Sequence, residues 1–260
     1  MSEPSSPAAS QPVLLRPDWP APARVRAACT TRLGGVSQGV YASLNMGRSG
    51  GDESAAVSEN RRRLHQALGL PAEPCWIRQV HGVRAVQMPP ATLEPAPEPE
   101  ADASFTFERG VVCAVQAADC LPVLFCDEAG TRVAAAHAGW RGLAGGVLER
   151  TVAALGVPPG QLLAWLGPAI GPEAFEVGEE VRDTFVATDA EAARAFRPGA
   201  QPGKHYADLF ALARRRLALA GVNRVSGGGL STHADPARFY SYRRDGVTGR
   251  MAALIWLEPS

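Results

Sequence analysis

ASFTFERGVVCAVQAADCLPVLFCDEAGTRVAAAHA, residues 103–138, holds four short apolar runs in close succession: "ASFTF", "VVCAVQAA", "PVLFCD" and "TRVAAAHA". Each has the length and the β-branched and aromatic content of a strand, and none is long enough for an ordinary helix. Turn signals divide them, Glu108-Arg109-Gly110 and Asp127-Glu128-Ala129-Gly130. Connections this short leave no room for crossover helices. The pattern therefore argues for α+β with mixed sheets and against regular βαβ winding.

The flanks add further elements. Upstream, a strand is expected near Val25 to Thr30, then a Gly-rich loop from Arg32 to Gly47. "GDESAAVSENRRRLHQALGL", residues 51–70, reads as a helix capped by Asp52 or Ser54 and ended by Gly69. "CWIRQVHGVRAVQM", residues 75–88, suggests two short strands around His81-Gly82, and the Pro- and Glu-rich residues 89–102 a surface excursion. Downstream, residues 142–155 read as one helix despite Gly145 and Gly146, and "QLLAWLGPAI" as a strand entering a loop. Short helices are expected at 179–187 and 189–196. An amphipathic helix is expected at 207–222, with Leu209, Leu212, Leu217 and Leu219 on its apolar side. Residues 238–258 suggest two strands about an Asp245-Gly246 turn. Two packed sheets with outer helices accommodate this order. Residues 1–12, rich in Ser, Pro and Ala, read as a disordered tail, and residues 13–260 as a single domain.

With Lys+Arg and Asp+Glu both at 26, the formal net charge is zero, which gives no electrostatic reason to expect a nucleic-acid or membrane partner. Lys204 is the only lysine, so a phosphate site would have to use arginine. Five cysteines, an odd number, follow a polar amino terminus without an apolar core or basic run, which leads to the expectation of a reducing, cytoplasmic setting.

Among the five histidines, His81 and His137 stand out, each followed by Gly or Ala-Gly, small residues that let other groups approach the ring. Cys120 closes "VVCAVQAADC" in the same manner. One thiolate and two neutral imidazoles suit zinc or copper, with a fourth position left open. The intervals, 39 and 17 residues, match no local metal motif. Three readings stay open: a metal triad, core cysteine with separately bonded histidines, or a Cys120–His137 nucleophilic dyad. Asp119 and Arg141 lie beside these residues, Arg32 and Asn45 in the Gly-rich loop, and Arg243 in "YSYRRDG". Gly-rich backbone with arginine can cradle phosphate, although Walker spacing is absent.

"TTRLGGVS", "SLNMG", "QVHG", "ADCLPVLF", "HAGWRG", "GPAIGPEAFEVG" and "YSYRRDGVTGR" occur in this order from about Thr30 to about Ile255. Together they resemble the YfiH family, also called the polyphenol oxidase or multicopper laccase-domain family. The resemblance implies a four-layer α/β/β/α fold with mixed sheets. It implies a Zn2+ site at His81, Cys120 and His137, at which Cu2+ is the other candidate. It further implies purine nucleoside phosphorolysis, on adenosine, inosine, guanosine and methylthioadenosine, and adenosine deamination. Arg32, Asn45, Arg141 and Arg243 become candidates for phosphate and ribose contacts, and Asp119 for a supporting or proton-carrying role. The implied fold is shared with a bacterial toxin deamidase that works through Cys and His, so a metal-free Cys–His hydrolase or amidase is the alternative. A laccase needs a blue-copper site and a histidine-rich trinuclear cluster, which five histidines cannot supply together. Ser231 stands where the family pattern leads one to expect cysteine.

Overall fold

The computed structural model describes residues 11–89 and 98–259. From its amino end the described chain runs β1 (Leu14–Leu15), β2 (Val25–Thr30), α1 (Ser54–Leu68) and β3 (Ala85–Gln87). The stretch quoted at the outset supplies β4 (Ala103–Thr106), β5 (Val112–Ala117), β6 (Leu121–Asp127) and β7 (Val133–Ala138). Helices α2 (Trp140–Gly145) and α3 (Val147–Leu155) lead to β8 (Leu162–Leu166). The last third holds β9 (Glu176–Gly178), α4 (Glu179–Val186), β10 (Phe196–Pro198), β11 (Lys204–Ala207), α5 (Leu209–Leu219), β12 (Arg224–Gly227), α6 (Tyr242–Asp245) and β13 (Met251–Leu257).

These strands form a four-stranded sheet, β1-β2-β13-β5, a six-stranded sheet, β12-β8-β6-β7-β4-β3, and a small sheet, β10-β11-β9. The six-stranded sheet is mixed: β3 runs parallel to β4 and β12 to β8, while β6 is antiparallel to β7 and β8. Alternation along β6 shows how the layers arise, because successive side chains point to opposite faces. Leu124 and Cys126 pack into a core shared with Val25, Cys113, Val115, Ala253 and Ile255 of the four-stranded sheet. Leu121, Val123 and Phe125 face the other way, onto Leu143, Leu148, Val152, Leu155, Leu212 and Leu217 of α2, α3 and α5. The far face of the four-stranded sheet, Val112, Ala114, Ala252, Leu254 and Trp256, is covered by Leu64 of α1 with Leu44, Met46 and Trp76. The order of layers is α/β/β/α. A strand buried on both faces reads as a continuous apolar run, which is why "LPVLFC" shows no alternation.

Several local expectations are corrected. Residues 75–80 form isolated bridges, Cys75 with Cys113 and Arg78 with Glu100, in place of a strand. The helix expected over 142–155 is broken at Gly146, whose φ of 97° places it in the left-handed region. Residues 190–195 form a 3-10 helix. The first of the two carboxyl-terminal strands is replaced by α6 and loop, so only β13 remains. Leu219 is 65% exposed and does not join the apolar side of α5. Glu53, not Asp52 or Ser54, is the N-cap residue of α1, and Asp52 instead accepts the Glu53 N–H. His81 and Cys120 lie in loops, and only His137 lies in a strand. Residues 1–10 of the proposed tail and residues 90–97 of the excursion lie outside the described residues, whereas the backbone of Gln11 and Pro12 packs closely on Gly34.

Gly146 separates two helices whose residues Leu143, Val147 and Leu148 are all fully buried. Replacing it by alanine keeps the surrounding space but forces an L residue into the left-handed region. Gly146→Ala is expected to cost about 1–2 kcal/mol, measurable as a lowered midpoint of urea unfolding.

Candidate metal centre and its cavity

Antiparallel pairing of β6 and β7 sets Leu121 opposite Ala138 and Pro122 opposite His137. Cys120, one residue before β6, therefore emerges at the end of the strand pair where His137 lies. The third residue, His81, comes from the loop ahead of β3 in a left-handed conformation, φ 60°. A buried carboxylate holds that loop. Asp102 accepts the backbone N–H groups of Val80 at 3.2 Å, His81 at 2.9 Å and Gly82 at 2.6 Å. The same carboxylate lies 2.9 Å from His137 Nδ1. A proton on Nδ1 satisfies that contact and leaves Nε2 as the free donor, the arrangement by which a carboxylate orients a ligating imidazole.

One ligand atom each from His81, Cys120 and His137 lie within 4.8 Å of one another. The Cys120 sulfur is 3.8 Å from His81 Nε2, and the two imidazole rings meet edge to face at 4.9 Å. Backbone packing leaves the space open: a Cβ on Gly139 would sit 2.9 Å from the Cys120 sulfur and 3.0 Å from His81 Cδ2. Burial opposes ionisation of Asp102, but the His137 ring and the Gly82 amide outweigh it and hold the carboxyl below its ordinary value. At Cys120, burial likewise disfavours the charged form, and the charge and hydrogen bonds of His137 and His81 overcome it, so the thiol ionises below its ordinary range. A thiolate and two imidazoles this close form a donor set that could hold one zinc or copper ion.

The three side chains open onto a cavity of about 590 Å3. Its walls combine aromatic residues (Trp140, Phe175, Tyr242) with six arginines (Arg48, Arg61, Arg78, Arg141, Arg243, Arg250). Of the candidate residues, His81, Cys120, His137, Asp119, Arg141 and Arg243 all line it. Arg141 stacks over Trp140 at 4.3 Å and Arg243 over Phe175 at 5.5 Å. The Asp119 carboxylate accepts Thr232 Oγ1, Ser241 Oγ and the backbone N–H of Arg243, and so ties the α6 segment to the loop that carries Cys120.

Arg32 and Asn45 do not line the cavity. The Arg32 guanidinium donates to the carbonyls of Ala42 and Pro236 and stacks over Tyr240. Asn45 is buried, and its Oδ1 accepts the N–H groups of both Gly47 and Arg250. Both residues organise the Gly-rich loop. Ser231 lies in a turn where it accepts the Gly171 and Ala234 N–H groups and donates to Glu173, three hydrogen bonds that give the serine a structural place.

Sequence reasoning missed Asp102, Arg48, Arg61 and Arg250. Asp102 ends a Pro/Glu-rich run in which a carboxylate reads as solvated, and Arg61 opens an "RRR" that reads as a helix surface. Gly139, by contrast, is where the Ala-Gly after His137 had pointed, since a small residue there permits close approach.

Residues 26–258 match the family described as multi-copper polyphenol oxidoreductase laccase. The chain is 59% identical to a purine nucleoside phosphorylase of Pseudomonas aeruginosa, over 94% of this chain and 98% of that one. It belongs to the YfiH family. The purine nucleoside phosphorylase YfiH of Escherichia coli is 54% identical over the same share of both chains. The crystal structure of protein NMB0706 from Neisseria meningitidis, 53% identical, superposes with a TM-score of 0.89 over 95% of this chain and 99% of that one. The crystal structure of YlmD from Geobacillus stearothermophilus, 34% identical, gives the same score over 95% and 96%. Among the described residues, no helix is long and apolar enough to cross a membrane.

Two substitutions test the cradle. Asp102→Asn keeps the shape but offers an amide N–H where backbone donors and His137 converge, and zinc affinity is expected to fall about 10–100-fold, measured by chelator competition. Gly139→Ala is expected to lower zinc content while leaving the circular dichroism spectrum unchanged.

Proposed function

We propose that this YfiH-family chain is a zinc-dependent purine nucleoside phosphorylase acting on adenosine, inosine, guanosine and methylthioadenosine, with adenosine deamination as a second activity. The observation that carries the reading is one set of His81, Cys120 and His137 donors opening onto a cavity with both aromatic and arginine walls. The names of the Pseudomonas and Escherichia relatives, more than half identical to this chain, support it.

When bound by His81, Cys120 and His137, zinc supplies a Lewis acid with one position left for a substrate or water oxygen. Asp102 keeps the His137 ring in the tautomer that offers Nε2. Trp140, Phe175 and Tyr242 provide flat apolar faces for a purine, and Arg141 and Arg243 provide donors for ribose hydroxyls and anionic oxygens. Asp119 acts through Arg243 as a positioning residue. In phosphorolysis a phosphate oxygen forms a bond to ribose C1′ as the C1′–N9 bond breaks. The electron pair leaves with the purine, which takes up a proton, while positive charge develops on the sugar. Anion and sugar must therefore be held in line, which is the work of the arginine wall.

A second reading has an observation of its own: Cys120, His137 and Asp102 lie in the order of a nucleophile, base and orienting carboxylate. A metal-free hydrolase or amidase would use these three and would not need His81. Copper oxidation finds less support, since among the described residues the triad is the one group of three close donors.

Metal analysis of untagged protein beside His81→Ala and Cys120→Ala, with inosine phosphorolysis on the same samples, separates the readings. One zinc per wild-type chain is expected, with both zinc and activity lost in each variant and activity returning to chelator-treated wild type on zinc addition. A His81→Ala protein that binds no metal yet still hydrolyses amides, with no inosine phosphorolysis by wild type, favours the hydrolase.

A further inference from the structure

Arg61 is a charged residue in an unusual place. It is only 4% exposed, and its guanidinium stacks 4.0 Å over the Trp76 ring. Nε and Nη2 both donate to the Met46 carbonyl. Nη1 faces the Glu98 carboxylate at 3.5 Å, too long for a good hydrogen bond. Burial, and after it the charge of nearby Arg48, lower the pKa of Arg61 to about 10, so Arg61 remains cationic at neutral pH. Two like charges this close are unfavourable, and the Glu98 and Glu73 carboxylates offset the effect at Arg61 only in part. Arg48 makes no hydrogen bond or ion pair among the described residues. Arg250 completes the group. Its Nη1 is held by the carbonyls of Thr248 and Gly249, and its side chain crosses Gly47 so closely that a Cβ there would lie 2.8 Å from Arg250 Cγ. Asn45 Oδ1, by accepting both Gly47 N–H and Arg250 N–H, fixes these two segments against each other. All three arginines line the cavity that holds His81, Cys120 and His137.

We propose that Arg48, Arg61 and Arg250 form the subsite for the inorganic phosphate co-substrate, and that the Glu98 carboxylate is an internal competitor for it. The proposal rests on the phosphorolytic reading above. Planar guanidinium groups with uncommitted N–H donors match the oxygens of a phosphate dianion. Glu98 is exposed, so a rotamer change of one side chain clears Arg61. Arriving phosphate exchanges one weak carboxylate contact for several charge-assisted hydrogen bonds. The Gly-rich loop thus acts through Asn45 and Gly47, which seat the arginines, while Arg32 and Asn45 themselves stay out of contact with the ligand.

The test is calorimetric titration of inorganic phosphate into zinc-loaded full-length protein without nucleoside, alongside the KM for phosphate in inosine cleavage. Arg48→Gln, at an exposed position with no hydrogen-bond or ion-pair partner among the described residues, is expected to weaken phosphate binding about tenfold, the loss of one charge-assisted hydrogen bond. Glu98→Gln is expected to tighten it about threefold, the worth of one exposed ion pair, and to lower KM for phosphate in proportion. Changes below about twofold in both variants would overturn the assignment. So would tighter binding of inosine 5′-monophosphate with the same dependence on Arg48, which gives the subsite to a nucleotide. If wild type releases no hypoxanthine while both variants shift phosphate affinity as stated, the phosphorylase reading fails and the anion subsite stands.

Discussion

One carboxylate organises the centre. Asp102 is fully buried and gathers three consecutive backbone N–H groups and an imidazole N–H. Removing a carboxylate from water is costly unless donors replace the lost hydration. Here they do, and two structural ends are met at once. The 80–82 loop is held in a turn that places His81 in the left-handed region, which an L residue adopts only at a cost of about 1–2 kcal/mol. His137 is oriented from the opposite side. The donors that meet at the cavity thus depend on an acid that does not line it.

The sheets supply the rest of the alignment. Pairing of β6 with β7 fixes Cys120 relative to His137 by register, and a one-residue slip would turn the His137 side chain to the other face. Gly139 follows from the same pairing. It stands opposite Cys120 at the end of the ladder, where any Cβ would enter the space between sulfur and imidazole.

The layer order and the three donor positions were legible in the sequence because both rest on features that one chain displays locally. Apolar runs such as "LPVLFC" announce doubly buried strands, and chemically able residues beside Gly or Ala announce approachable ones. Asp102, Arg61 and Arg250 were not legible, since their meaning comes from what the fold brings to them. Arg61 reads as a solvated helix face until Trp76 and Met46 close over it. "YSYRRDG" reads as a strand from its aromatic content, yet Asp119 captures Ser241 Oγ and the Arg243 N–H and bends the segment into a helical turn. Arg32 and Asn45 read as candidates for phosphate and ribose contacts, yet they hold the Gly-rich loop together and do not line the cavity.

His81 is exposed and Cys120 half-buried, while His137 alone is sealed in the sheet. A cation at such a place could exchange with the surrounding medium without any strand separating. Its identity would then follow trace-element supply and the general order of divalent affinities, in which copper outranks zinc.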